Sequence, residues 1–185
     1  MSAVGSQAKG ADGVVHLQRD RELAAGHWLL SAAPDLRESS RDWRTEGSTW
    51  LQPGILFGAV VIRAGFVHRA LDLDGPAECR HPLSQALEGG PVFYSPDHFA
   101  REGSYTALVT ASTAMAWRSR GSVAHDRRAL LRVPSPDMTE SQGDGCPWWV
   151  VPLDGPGLLC RARALAGLVT AGRLAASRAG GGSRA

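Results

Sequence analysis

"GILFGAVVIRAGF", which runs from Gly54 to Phe66, is the stretch of sequence that decides the fold. It is an almost unbroken run of apolar residues and is rich in β-branched side chains. Such a run is typical of a strand that is buried on both faces. The sequence therefore predicts a sheet that has residues 54–66 at its centre.

Four further strands are predicted on the C-terminal side of this run. PVFY at 91–94 is a short candidate, and SYTALVTAS at 104–112 alternates between two faces, as expected for a strand. The last two candidates are residues 129–133 and 148–151. Between them, thirteen mostly polar or turn-forming residues (134–146) predict a hairpin with a long polar tip. Loops of this length in compact domains are usually functional or mobile.

Trp148 and Trp149 begin the last of these strands. Adjacent strand residues alternate, so the two indoles are predicted to point to opposite faces of the sheet, one into the core and the other over the far side. Two interpretations of Trp149 follow. It is either half of a packed tryptophan pair or a platform on which a nucleic-acid base stacks.

Helices are predicted at both ends of the chain. Residues 20–33 place Leu23, His27 and Leu30 on one stripe, and Asp35 caps a second short helix. The buried stripe predicted for a closing amphipathic helix consists of Leu158, Leu165, Leu168 and Val169. Together these elements predict an α/β or α+β two-layer domain. Its mixed, mainly antiparallel sheet of about five strands is packed by the N-terminal helices and the C-terminal helix.

Length and composition fit one globular domain. The chain has 185 residues, of which 43% are hydrophobic and 21% charged. Residues 14–175 are predicted to form the domain, and the small and polar residues of 1–13 and 176–185 to be disordered tails. No apolar run approaches the ~18 residues that a membrane span needs, and no export signal is recognised, so we expect a cytoplasmic protein without membrane contact. The 3 cysteines lack CxxC spacing, which argues against a disulfide framework and a zinc ribbon.

Four pieces of the chain, taken in order, resemble small proteins of high-GC bacteria known as bifunctional DNA primase/polymerase, N-terminal domain-like. The pieces are WRTEGSTWLQPGILFGAVVI (43–62), GGPVFYSPDHF (89–99), SYTALVTAS (104–112) and RRALLRVPSPD with PWWVVP (127–137 and 147–152). In that family, a Trp-containing helix leads through a Gly-bearing turn into a central strand. The resemblance covers residues 24–169 and implies the family's fold and, for working members, nucleotidyl transfer.

The chain departs from this family at the residues that carry its chemistry. In working members, carboxylates at alternate positions of the central strand hold divalent metals. The corresponding positions here are Gly58 and Val60, and a histidine of the family's next strand has no counterpart in SYTALVT (104–110). The resemblance therefore implies a domain that has lost polymerase chemistry, with no catalytic residue, no metal and no cofactor.

Two other groups of polar residues suit structural roles better than chemistry. Asp72 and Asp74 form a D-x-D pair, but the six or more oxygens of a calcium site are not visible nearby, so a solvated turn is favoured. Cys79 and His81, with His68 upstream, are metal ligands by type, yet they lack the spacing of a zinc site. We expect a surface loop at these positions.

The basic residues are nearly all arginine, since Lys9 is the only lysine among 20 Lys and Arg residues. With abundant Ala and Gly, this bias mostly reflects a GC-rich genome, but it also means that nearly every cationic group is a planar guanidinium that suits phosphates and carboxylates. Five arginines fall close together at the entry to the predicted hairpin: Arg118, Arg120, Arg127, Arg128 and Arg132. This cluster predicts a site for the phosphates of single-stranded nucleic acid or a nucleotide, with Trp149 as its aromatic member. The other interpretations are a solvated arginine-rich face and an interface with an acidic protein partner.

The leading hypothesis from the sequence is a catalytically inactive primase/polymerase-like domain that acts as a nucleic-acid- or nucleotide-binding accessory protein. The alternative is a protein-interaction or regulatory module that retains only the scaffold and binds a protein partner or forms a homodimer. An active enzyme with an unrecognised acid–base pair is the least favoured hypothesis.

Overall fold

Seven strands form two antiparallel sheets in the computed structural model, which describes residues 9–97, 102–125, 128–143 and 145–181. The strands are β1 Ser48–Leu51, β2 Gly58–Arg63, β3 Val92–Ser95, β4 Ser104–Val109, β5 Ser122–His125, β6 Leu131–Pro134 and β7 Trp148–Val151. The larger sheet has the order β5-β2-β4-β3-β7, and β1 pairs with β6 in a sheet of two strands. Every pairing in these sheets is antiparallel.

Six helices accompany the sheets within the same described residues. They are α1 Lys9–Leu30, α2 Leu36–Glu46, α3 Ala64–Leu71, α4 Arg80–Ala86, α5 Ala111–Ala116 and α6 Ala162–Gly181. The start of α2 is as predicted, because the Asp35 carboxylate accepts a hydrogen bond from the Glu38 amide at 2.9 Å. The chain has an α+β fold, which confirms the predicted class. Within the described residues, no helix is both long and apolar enough to cross a membrane.

Both faces of the five-stranded sheet are covered. On one face, Val60 and Tyr105 pack with α3, α4 and α6. On the other, Phe93 and Trp149 pack with α1, α2 and the β1–β6 sheet. The expected two layers are therefore three, because β2, β4 and β7 bury apolar side chains on both faces and each face needs a cover.

The predicted hairpin between residues 129–133 and 148–151 is wrong. β6 pairs with β1 and β7 pairs with β3, so the two strands lie in different sheets. Side-chain and backbone bonds hold β6 to the α2–β1 region: Trp43 Nε1 donates to the Val133 carbonyl at 3.1 Å, and the Ser135 amide donates to the Gly47 carbonyl at 2.8 Å. A long connection imposes no register, so these distant contacts decide the pairing.

The connection between β6 and β7 is bound to the domain along much of its length. Trp149 N donates to the Met138 carbonyl at 2.7 Å, and the Arg80 guanidinium donates to the Thr139 carbonyl. The Met138 side chain also lies beside Gly47, where a Cβ would be 3.2 Å from the Met138 methyl carbon. The described part of the connection therefore packs against the domain and does not project from it as the tip of a hairpin.

The apolar run at 54–66 forms a shorter strand than predicted. Only Gly58–Arg63 is strand, and the next residues begin α3, so Phe66 lies on a helix. An apolar run without periodicity cannot by itself separate a buried strand from a buried helix segment. The sheet still has five strands, because β5 supplies the strand that β6 was expected to be.

Helix α1 buries a different stripe from the predicted one. Ala25 and Leu29 are fully buried, whereas Leu23 is 61% exposed. Gly26 faces the connection after β6, and a Cβ at Gly26 would lie 3.3 Å from Pro136 Cγ. Ala25 and Gly26 are small, so the backbone of α1 can approach its neighbours closely on this side of the helix. Leu23 lies on the solvent-exposed side.

The terminal helices extend beyond the predicted domain boundaries at 14 and 175. α1 begins at Lys9, within the predicted tail 1–13, and α6 continues to Gly181, within the predicted tail 176–185. The tail at 176–185 was predicted to be disordered because its residues are small and polar. Its alanines nevertheless favour a helix, so low hydrophobicity was not a sufficient sign of disorder. Residues 1–8 and 182–185 lie outside the described residues.

Candidate functional site

The five arginines of the predicted cluster do not form one surface. Arg118 and Arg120 lie in the loop that leads into β5, and Arg128 follows the opposite end of that strand. Four strand residues separate the two ends by roughly 10 Å. Arg127 lies outside the described residues, and Arg132 belongs to β6. Among the four described members of the predicted set, only Arg118 and Arg120 lie close together, in the same loop.

Arg132 lies in the layer on the other side of the main sheet. It is the cross-strand partner of Trp50, and its Nε donates to the Ser48 hydroxyl at 2.8 Å. Trp50 is 53% exposed, so this face of the β1–β6 sheet presents an indole beside a guanidinium. The pair is separated from Arg118 and Arg120 by the five-stranded sheet.

Trp149 cannot stack with a base, which corrects its interpretation as the aromatic member of the site. Its side chain has no solvent exposure. Its ring meets Phe93 edge to face at 5.3 Å, and its Nε1 donates to the Ser135 carbonyl at 3.1 Å. Trp148 lies in the core cluster on the opposite face, so the predicted alternation is confirmed and both indoles are structural.

The loop that carries Arg118 is positioned by α5. Thr110 caps this helix by accepting a hydrogen bond from the Thr113 amide at 3.2 Å. Ala114 then packs against Gly58, where a Cβ would lie 2.3 Å from the Ala114 Cβ, so only glycine at 58 permits this approach. The helix ends at Trp117, and the chain turns toward β5.

Hydrogen bonds fix the conformation of the loop at 117–121. Trp117 Nε1 donates to the Ser122 hydroxyl at 2.8 Å, which donates in turn to the Ser119 carbonyl at 3.0 Å. Arg118 Nη1 donates to the carbonyls of Met115 at 3.0 Å and Trp117 at 2.7 Å. The guanidinium thus binds carbonyls at the C-terminal end of α5, where a cation is favoured.

Helix α6 adds two arginines that sequence reasoning missed. Arg163 lines a cleft of about 490 Å³ together with Arg118. Ten residues further along the helix, Arg173 packs against the turn after Arg120, and a Cβ at Gly121 would lie 3.0 Å from Arg173 Cδ. Gly121 has a φ of 89°, which favours glycine and lets the turn approach the helix. We call Arg118, Arg120, Arg163 and Arg173 the arginine surface.

The arginine surface carries positive charge that no acidic side chain pairs with in the part of the chain that the structure describes. The two segments that form it, 103–125 and 155–185, contain no aspartate or glutamate. None of its four arginines forms an ion pair with the described part of the chain, whereas Arg161 next to it binds Glu88 at 2.8 Å. All four are exposed. Both segments lack acidic residues, and this shared feature of the sequence could have indicated that they contribute to one basic surface.

Other polar groups serve the structure. Asp72 ends α3 in the left-handed conformation, and its amide donates to the His68 carbonyl. The His68 ring Nε2 lies 2.8 Å from the Tyr105 hydroxyl. Burial raises the pKa of the Cys79 thiol, so the thiol is not activated. Among the described residues, no group of three or more His, Cys, Asp or Glu side chains is arranged to hold a metal.

Comparisons of the chain with family models, with curated proteins and with solved structures find no match.

Proposed function

We propose that this chain is a non-catalytic, primase/polymerase-like domain that binds nucleic acid through the arginine surface. The observation that carries the proposal is the convergence of four exposed arginines, from two segments without acidic residues, on one side of the fold. Arginine binds phosphate through a planar fork of donors, and neutralised phosphates supply most of the affinity of non-specific nucleic-acid binding. A cytoplasmic location belongs to the proposal because it suits such a ligand.

The spacing of the arginines supports a polymeric ligand. Arg163 and Arg173 are ten residues apart on α6, which corresponds to about 15 Å along the helix axis. Successive phosphates of one DNA strand follow each other at ~3.4 Å along the duplex axis. A single phosphate cannot contact both ends of this surface, whereas a short run of nucleotides can.

The surroundings of Gly58 and Val60 support the non-catalytic part of the proposal. Both positions lie on the sheet face that α5 and α6 cover, and Val60 is fully buried. At Gly58, even a methyl group would overlap Ala114. A carboxylate at either position would be enclosed, with no room for a metal and a nucleotide beside it.

Oligonucleotide binding tests the proposal. Fluorescence anisotropy with a labelled single-stranded oligonucleotide should show binding at low salt that weakens as salt rises. Replacing Arg118 and Arg163 together by Ala should weaken binding by about tenfold or more, since each loses a charge-assisted hydrogen bond. The matched control replaces Arg37 and Arg44, two exposed arginines of α2, and should retain most of the affinity.

Two outcomes of this experiment contradict the proposal. The first is an absence of salt-sensitive binding by the unmodified chain. The second is an equal loss of affinity in both double variants, which would mean that binding follows total charge and has no preferred surface.

A second candidate function, protein interaction, is favoured by the outer face of the β1–β6 sheet. Trp50 is 53% exposed there, opposite Arg132, and Leu130, which immediately precedes β6, is 51% exposed. Tryptophan and arginine are enriched among the few interface residues that contribute most of the binding energy between proteins. Light scattering over a range of concentrations should then show an oligomer that dissociates on Trp50→Ser. A monomer at all concentrations would count against self-association through this face.

A further inference from the structure

We propose that the cleft between α5, the loop at 117–121 and the start of α6 binds one nucleotide unit of a single strand. Its base would lie against the Trp117 indole and its phosphate between Arg118 and Arg163. This inference rests on the proposed function and adds a preference for unpaired bases. The juxtaposition of an aromatic side chain and two arginines in one cleft of about 490 Å³ carries it.

Trp117 is a fixed aromatic wall of the cleft. Part of its ring packs against the core below the sheet, and its Nε1 is bound to the Ser122 hydroxyl at 2.8 Å. Its side chain is partly exposed, unlike the buried Trp149. An indole that is already held in place loses little conformational entropy when a base stacks on it.

The two arginines beside Trp117 differ in how firmly their guanidinium groups are held. Arg118 is held through Nη1 by two backbone carbonyls, and its Nε and Nη2 make no hydrogen bond to the part of the chain that the structure describes. Arg163 is exposed on the facing helix. The cleft therefore combines a preorganised cation with an adjustable one, an arrangement that suits a phosphate.

Hydroxyl groups complete the lining of the cleft. Ser112, Thr113 and Ser119 all border it. The Thr113 hydroxyl lies 2.8 Å from the Thr110 hydroxyl, so the positions of these groups are partly set by the cap of α5. Hydroxyls donate and accept, and they can therefore bond the edges of different bases. We infer a site that accepts an unpaired base with little selectivity for its identity.

A double helix cannot fill this cleft in the same way. Its bases are stacked within the duplex, and extruding one requires its stacking and pairing to be broken. Stacking of an unpaired base on an aromatic side chain contributes about 1–3 kcal/mol, which corresponds to roughly 5- to 150-fold in affinity. The chain should consequently bind a single strand more tightly than the matching duplex.

Three labelled ligands test the inference with the unmodified chain: a single strand, its duplex, and a single strand of equal length made of abasic units. Anisotropy at one low salt concentration should show the single strand bound at least about fivefold more tightly than the abasic strand, because both carry the same phosphates. Trp117→Leu should remove this difference, and Trp117→Phe should keep most of it. Trp50→Leu, which alters an exposed tryptophan in the opposite layer, should leave it unchanged.

The outcomes separate this inference from the proposed function. Equal affinity for the three ligands, with loss of binding in the Arg118 and Arg163 double variant, would overturn the nucleotide site and leave the arginine surface standing. No binding of any ligand would overturn both. The comparison of the single strand with the abasic strand uses the unmodified chain, so the test remains decisive even if the Trp117→Leu variant does not fold.

Discussion

Ala114 lies directly over Gly58, at a distance where a Cβ on residue 58 would be 2.3 Å from the Ala114 Cβ and 3.2 Å from the Thr110 carbonyl oxygen. This contact seats the short helix α5 on strand β2. The loop that follows α5 carries Trp117 and Arg118, so the absence of a side chain at residue 58 determines where the cleft forms.

Gly58→Ala should destabilise the fold. The added methyl group overlaps Ala114 and must displace α5, and overpacking of this kind typically costs about 1–3 kcal/mol of unfolding free energy. Urea denaturation followed by circular dichroism measures the change. Adding Ala114→Gly to the variant should recover part of the loss, because it vacates the space that the new methyl group needs.

Gly167→Ala is the matched control for that substitution. Gly167 lies within α6, and a Cβ there has no neighbour within 4 Å. Because alanine is favoured over glycine in a helix interior, this variant should gain about 1 kcal/mol of stability. If both glycine variants shift the denaturation midpoint in the same direction, the contact between Gly58 and Ala114 does not have the proposed role.

Trp149→Ala should reduce stability by about 3–5 kcal/mol, since it removes a buried indole that contacts Phe93 and bonds to the Ser135 carbonyl. The milder Trp149→Phe keeps a ring and loses the N–H donor. It should lower the denaturation midpoint while retaining the oligonucleotide affinity of the unmodified chain. Trp149→Leu has no ring on which a base could stack, and a folded Trp149→Leu variant should also keep that affinity; a loss of affinity there would restore the stacking interpretation of this residue.

The stability of the fold should fall as the pH is lowered through about 6.5. Burial lowers the pKa of His68 from its ordinary value of 6.5, although Asp74 and Glu78 partly oppose this effect. The unfolded chain therefore takes up the proton at a higher pH than the folded chain. The contribution of His68 to the stability of the fold is complete above pH 6.5. It decreases as the pH falls toward the lower pKa of the folded state, and below that pKa it no longer changes.

Thermal unfolding between pH 8 and pH 5 measures this dependence. His68→Gln should flatten the curve in the window just below 6.5, because it removes the titrating ring. His81→Gln alters an exposed histidine of α4 and should leave the shape unchanged. Identical curves for the His68→Gln variant and the unmodified chain would exclude His68 as the source.

The salt dependence of binding should identify the arginines that contact phosphates. For a single strand, each lost contact lowers the slope of log K against log salt concentration by about 0.7. The Arg118→Ala, Arg163→Ala double variant should accordingly lose about 1.4 from the slope. Arg132→Ala should keep the slope of the unmodified chain, because Arg132 lies in the layer across the sheet. A reduced slope for Arg132→Ala would instead place the ligand on the β1–β6 face.

Several elements of the fold were predictable because their signals are local. The cap at Asp35, strand β4 and three members of the predicted stripe of α6, Leu165, Leu168 and Val169, lie where the sequence predicts them. The fourth member, Leu158, was wrong: it precedes the helix and is 54% exposed. Strands β1 and β5 were missed because their sequences, STWL and SVAH, mix polar and apolar residues and do not form an apolar run. The pairing of β6 was misjudged for a different reason: its partner residues in β1 lie 80 to 86 positions earlier in the chain.

The candidate site was only half predictable. Arg118 and Arg120 stand out in the sequence, but Arg163 and Arg173 follow on a helix some forty residues later. Nothing local connects the two segments apart from their shared lack of acidic residues. Trp117 was overlooked and Trp149 chosen because the exposure of a tryptophan depends on what packs over it, which a sequence pattern does not state.

By itself, the sequence determined the α+β class and most of the local elements, because propensity, capping and periodicity act between near neighbours in the chain. Only the tertiary structure decided which strands pair, which tryptophan is buried and which arginines meet. Those outcomes depend on close packing between residues far apart in sequence, such as Gly58 against Ala114 and Gly121 against Arg173. Close packing is governed by shape at the scale of single methyl groups, and that information exists only once the chain has folded.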